Sequence, residues 1–221
     1  FSEYEPRIQK LLDTYVGTGE VEKITPLVNI FDQDVFKSEI DSVDGEAAKA
    51  DMIAHRTLKT IYERMEEDPV FYRRFSEMIK QAIQDYRTGV LEAIEYLNQV
   101  TQNMQAVMNR TGDDLPKVLE TADVAKAYYG VINEQIGEAL GEENAKALAE
   151  ALGTAAIEID KIIDQHRIVR WFDNIDIQNQ MKMAIEDYLF EVQKAQGIQI
   201  DFDTIDDILD QIIEIAKIRK K

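Results

Sequence analysis

Cysteine is absent from this chain of 221 residues, which excludes disulfides, thiolate zinc sites and a cysteine nucleophile. A reducing cytoplasm fits that absence. Proline occurs four times, each time near a helix start or in a turn, so little interrupts helix formation. No apolar run approaches the roughly 20 residues that a membrane-spanning helix needs, and no membrane partner is expected. The opening FSEYEPRIQ lacks an initiating Met, a basic start and an apolar core, so no secretory leader is visible and an excised piece of a longer protein is its simplest reading. Basic charge is also short, with 25 Lys and Arg against 43 Asp and Glu and a net charge of −18. The deficit runs through both halves, 13 against 20 in residues 1–110 and 12 against 23 in residues 111–221. Affinity for a nucleic-acid backbone comes chiefly from neutralising phosphates, so this balance disfavours DNA as the main partner, while local basic spots could still touch it.

What is present is helical periodicity. Hydrophobic residues make up 45% of the chain, enough for a sizeable core and too many for a disordered segment. The organising stretch is 44–88, which reads as two amphipathic helices joined at Asp68-Pro69. Ala50, Ile53 or Ala54, Thr57 or Leu58, Ile61 and Met65 recur at three- and four-residue steps in the first; Phe71, Phe75, Met78, Ile79, Ala82, Ile83 and Tyr86 do so in the second. Asp68 suits an N-cap and Pro69 the first helical position. Their short joint predicts a hairpin whose facing stripes bury each other.

Before this stretch, Tyr4 to Tyr15 can form a short helix, Gly17-Thr18-Gly19 breaks it, and Pro26 interrupts a poorly patterned segment. Asp32 or Asp34 could cap a further helix bearing Val35, Phe36, Ile40 and Val43. After it, Gly89 precedes a helix over 90–109 whose expected inner face carries Leu91, Ile94, Leu97, Val100 or Thr101, Met104 and Met108. The loop 110–114 leads through Leu115-Pro116 to a helix ending at Leu140, with Tyr128, Tyr129, Ile132 and Ile136 inward. Past Gly141 an Ala-rich helix buries Leu148, Leu152, Ala155 or Ala156, Ile159 and Ile162 or Ile163. Its small residues Ala145, Ala149 and Gly153 would let a partner helix approach closely. Asp176 is the expected cap of the next helix and Gly197 its C-cap. Ile198 to Phe202 alternates and could form a short extended piece. Asp203 is the expected cap of the last helix, with Ile205, Ile208 or Leu209, Ile212 or Ile213 and Ala216 inward, and with Lys217, Arg219, Lys220 and Lys221 at its end, where the helix dipole favours cations. The pattern predicts an all-α fold, an irregular bundle of eight to ten helices: a less regular N-terminal arm over 1–43 and a helical domain over 44–221.

Catalytic signatures are missing. No Gly-Lys step exists for a P-loop, and Gly17-Thr18-Gly19 lacks both the third glycine and the strand context of a dinucleotide fingerprint. A di-iron site in a bundle needs Glu three residues before His; Met52 and Ile163 stand there before His55 and His166. Asp201, Asp203, Asp206, Asp207 and Asp210 lack the glycine and terminal Glu of a calcium loop and read as a solvated helix start. The best basic patch is Arg73 and Arg74, with Arg64 and Arg87 nearby; the second is Arg167 and Arg170 with Trp171 and Phe172. Arg and Trp are favoured at interface hot spots, so these six residues, Arg73, Arg74, Arg167, Arg170, Trp171 and Phe172, are candidate partner contacts. The structural alternative is an ion-paired face, with Trp171 anchoring a loop to the core.

The words AAKADMIAHRTLKTI and YERMEEDPVFYRRFSEMI, with YEPRIQKLLDTYV and VNIFD before them and IVRWFDNIDIQNQM after, resemble, in the same order, segments of the helical region downstream of the motor in R subunits of type I restriction-modification enzymes. The resemblance implies that the parent is an ATP-dependent DNA translocase and endonuclease, with ATP and magnesium used outside this chain and no cofactor within it. It implies that this helical region docks the motor on a methyltransferase core of modification and specificity subunits, and that the arm over 1–43 packs on the preceding motor domain. A DNA-contacting element of the same motor and an unrelated helical scaffold are the alternatives.

Overall fold

The computed structural model describes residues 29–111 and 115–221. The expected helix over Tyr4 to Tyr15 and the glycine turn after it lie outside them, as do three residues of the 110–114 loop. Among the described residues there are eight α-helices, three short 3₁₀ turns and no strand, so the fold is all-α, an irregular bundle. The helices are α1 (Gln33–Asp41), α2 (Glu46–Glu63), α3 (Pro69–Arg87), α4 (Ala93–Asn109), α5 (Asp123–Leu140), α6 (Glu142–His166), α7 (Ile175–Gln196) and α8 (Phe202–Arg219). The turns are Met65–Glu67, Lys117–Leu119 and Trp171–Asp173.

The boundaries follow local chemistry. Asp68 accepts a bond from the amide of Phe71 at 3.2 Å with Pro69 in the first turn of α3, which satisfies one of the donors every helix start leaves orphaned. At α4 the side chain of Glu92 and that of Glu95 cap each other's backbone amides, a reciprocal box. Two expected caps are shifted by two residues. Asn174, not Asp176, caps α7, accepting from the amides of Asp176 and Ile177. Asp201, not Asp203, caps α8 through the amide of Thr204 at 2.8 Å. Both shifts have one cause: each cap is the last residue with extended backbone, which lets its side chain fold back over the first turn. That same bond holds the exposed Asp201 carboxyl below its usual range. Gly197 closes α7 in the left-handed conformation, φ 64. The alternating segment after it is no strand; Ile200 donates its amide to the side-chain oxygen of Gln193 and turns inward.

Two clusters of buried side chains result. The first joins Ile30 and Phe36 to α2, α3 and α4, and the second joins Leu119 to α5, α6, α7 and α8. In the first, Phe71, Tyr72, Phe75 and Ile79 are buried along α3; removing one such side chain from water stabilises by roughly 1.5–3 kcal/mol. The expected hairpin forms in part, because α2 also lies against α4, more extensively than against α3. The inner face of α4 is rotated from the expected one. Tyr96, Val100, Asn103 and Val107 are buried while Ile94 is 53% exposed. Tyr96 decides the rotation: its ring stacks on Tyr86 at 4.8 Å and its hydroxyl donates to Asp51 at 2.9 Å. Met78 on α3 likewise faces out.

In the second cluster the expected inner faces of α5 and α8 are buried as read. The small residue Gly153 does admit a close neighbour, which is the Pro116 to Val118 segment rather than a helix. A Cβ there would stand 2.9 Å from Pro116 Cβ and 3.0 Å from Val118 Cγ1. Contact between the clusters runs through α3 against α5 and through α8 against the Met65–Glu67 turn.

Candidate partner-facing site

Charged residues gather where the two clusters meet. Asp68 is 2% exposed, and its Oδ2 accepts from Nη2 of Arg110 at 2.5 Å. Burial pushes the Asp68 carboxyl up, against the pull of Arg110. Arg110 sits in the left-handed region at φ 52, directly after α4, and its guanidinium lies over the rings of Phe71 and Tyr72, 4.6 and 5.8 Å from their centroids. Burial works against the charge on Arg110, yet Asp68 and Asp123 outweigh it and raise its pKa. From the far end of α8, Arg219 reaches the same place, pairing with Asp123 and, at 3.9 Å, with Glu67. The enclosed Asp68–Arg110 pair ties its partners together because either charge left alone would be buried without compensation, whereas Asp123 and Glu67 are open to solvent on one side.

Beside this junction opens a cleft of about 680 Å³ whose lining includes Arg74, Arg110, Lys126, Asn133, Glu134 and Lys146. Arg73, next to Arg74 on α3, donates across to Glu134 on α5, whose carboxylate raises the arginine's pKa. Arg74 lies over the ring of Phe75, 5.7 Å from its centroid. Arg64 is separated from this pair, stacked on Phe31 at 4.5 Å and bridged to Glu67.

The second expected patch is the α6–α7 turn. Trp171 is 2% exposed, and its indole N–H donates to the carbonyl of Lys220 at 3.1 Å. The ring therefore faces the core, and so does much of Phe172. Arg167 reaches the same carbonyl at 3.4 Å and pairs with Asp164. Arg170, at φ 59, is exposed and holds Asp173 at 2.9 Å. Gln178 donates to the carbonyls of Trp171 and Phe172, fixing the turn from α7. On that fixed turn Val169 is 92% exposed and Ile175 70%.

A family model described as "Type I restriction enzyme HindI endonuclease subunit-like, C-terminal" matches residues 2–221. The chain belongs to that family. No curated protein and no solved structure gives a match. In this C-terminal domain no group of three or more His, Asp and Glu is placed to hold a metal ion among the described residues, and no described helix is long and apolar enough to cross a membrane. His55 is exposed, and His166 sits with Nδ1 2.8 Å from the carbonyl of Ile162 in the last turn of α6.

Sequence reasoning passed over several residues that matter here. Arg110 and Arg219 carry no local signal, because their partners lie 42 and 96 residues away. Met183 and Phe190 on α7 are 64% and 38% exposed, and only the packing of α7 tells them from Met181 and Leu189, which are buried.

Proposed function

We propose that this C-terminal domain is a non-catalytic assembly module, which docks the parent translocase and endonuclease onto a methyltransferase core of modification and specificity subunits in the cytoplasm. The observation that carries this reading is the apolar strip that starts at the α6–α7 turn. Ile168, Val169, Ile175, Met183 and Phe190 are all exposed, and Phe190 meets the exposed Phe202 edge to face at 5.9 Å. At 100° per residue, Ile175, Met183 and Phe190 fall within about 80° of one another around α7, along roughly 22 Å of its length. Exposed apolar side chains spread over that reach beside a well-fixed turn, with Asn179 and Glu186 interspersed on the same face of α7, are the kind of surface that marks a protein partner. Family membership supports the choice of partner. ATP and magnesium belong to the motor of the parent in this reading. That assignment is supported by the sequence, which contains no Gly-Lys step for a P-loop.

Calorimetric titration of the chain against the methyltransferase core tests the proposal. Binding in the micromolar range is expected, weakened about tenfold or more by Val169→Asp or Phe190→Asp. No heat up to about 100 μM would overturn docking. Salt-dependent binding of a labelled duplex in its place would favour the DNA-contacting alternative.

A further inference from the structure

The cleft beside the Asp68–Arg110 pair is unlike the rest of this acidic molecule. Cations from four separate places in the fold converge on it: Arg74 from α3, Arg110 from the end of α4, Lys126 from α5 and Lys146 from α6. Two of the three carboxylates in its lining are already engaged, Asp68 by Arg110 and Glu134 by Arg73. Glu142 is the third. Four cations and three carboxylates thus share this lining, a local balance unlike that of a chain whose net charge is −18. Arg110 at the edge of the cleft is mostly buried; its Nη1 has no hydrogen-bond acceptor, and its Nε, also without one, stands 3.7 Å from Asp123. Buried donors without acceptors call for an explanation, and a ligand is one.

We propose that this cleft binds a small molecule bearing one or two phosphate groups. Three features select that class. The volume, about 680 Å³, suits a small ligand and is too confined for a duplex, and the overall negative charge opposes a long polyanion at a distance. Donors arriving from four elements suit the tetrahedral oxygens of a phosphate better than the flat edge of a carboxylate, which one arginine can saturate alone. Arginine and lysine together supply both a directional fork and a point charge, the pairing that phosphate sites use. Lys126 and Lys146 are the ligand-facing pair that does not hold the fold together. This site is independent of the docking strip on α7.

Inorganic phosphate and pyrophosphate, each without magnesium, are the probes, titrated into the whole chain and followed by amide NMR shifts. Saturable binding of pyrophosphate is expected, with shifts concentrated at Gly130, Asn133 and Ala149. Lys126→Ala combined with Lys146→Ala should weaken it about tenfold or more while leaving the melting temperature unchanged. Lys182→Ala, a change at a lysine paired with Asp210 elsewhere, should leave binding intact. Failure to saturate by about 10 mM, or an equal loss in the Lys182 variant, overturns the proposal. An Asp- and Glu-rich peptide that binds the cleft where pyrophosphate does not would overturn it too, in favour of an acidic protein segment.

Discussion

The indole of Trp171 donates its N–H to the backbone carbonyl of Lys220 at 3.1 Å, across a sequence separation of 49 residues. Lys220 is itself 8% exposed, with its ammonium 2.8 Å from Asp160 and 2.7 Å from Asp164 on α6. The end of α8 is therefore clasped from two sides, by a tryptophan that reads its backbone and by acidic residues that read its side chain.

Trp171→Phe keeps most of the packing and removes that hydrogen bond, so a loss of about 1 kcal/mol is expected in urea unfolding. Trp171→Ala also opens a cavity and should cost about 3–5 kcal/mol. Since Trp171 is the sole tryptophan, its fluorescence should follow release of the last turn of α8. Lys220→Met ought to shift the emission before global unfolding; an emission unchanged until the global transition would separate the ring from the clasp.

Removing Arg110 leaves the Asp68 carboxylate buried without its cation, and Arg110→Met is expected to cost about 3–5 kcal/mol at neutral pH. The pH dependence has a definite sign. Burial holds the folded pKa of Asp68 above its ordinary value, so the folded state binds more protons across that window and stability falls as pH rises through it. Without Arg110 the upward shift grows. The variant should therefore lie closer to the parent chain at about pH 4 than at about pH 7, as measured by paired denaturation curves. A gap that widens on acidification would contradict this account.

Two glycines in helices should respond to alanine with opposite signs. At Gly137 a Cβ would meet only Ala145 Cβ, at 3.8 Å, so Gly137→Ala should stabilise by about 0.5–1 kcal/mol through helix propensity. At Gly153 the same change drives a Cβ into the ring of Pro116. Overpacking of about 1–3 kcal/mol should exceed the propensity gain and lower the melting temperature.

Alkaline pH should unfold the chain through two phenols. Burial raises the pKa of both Tyr96 and Tyr128, with Asp51 beside the first and Asp160 near the second adding to it. Their folded values stand above the unfolded one, so the stability they contribute is present below about pH 10 and is lost as pH rises beyond it. Tyr96→Phe removes the bond to Asp51, costing about 1 kcal/mol near neutrality, and should flatten the alkaline limb of the stability curve. An alkaline limb as steep as that of the parent would rule Tyr96 out as a source.

The sequence by itself determined the all-α class, the Asp68-Pro69 joint and the inner faces of α5 and α8, because each depends on residues within one or two turns of each other. The 3.6-residue period places Tyr128, Ile132 and Ile136 on one side whatever the rest of the chain does, and Asp68 caps α3 through an amide only three residues away. Tertiary structure decided the rest. It rotated α4 around the Tyr96 contacts with Tyr86 and Asp51, and it sent the Pro116 segment rather than a helix against Gly153. It turned Trp171 inward onto Lys220, left Met183 and Phe190 outside, and brought Arg110 and Arg219 to one acidic junction. Those outcomes turn on contacts between residues tens of positions apart, whose distance is set by how helices stack and not by anything a local pattern can encode.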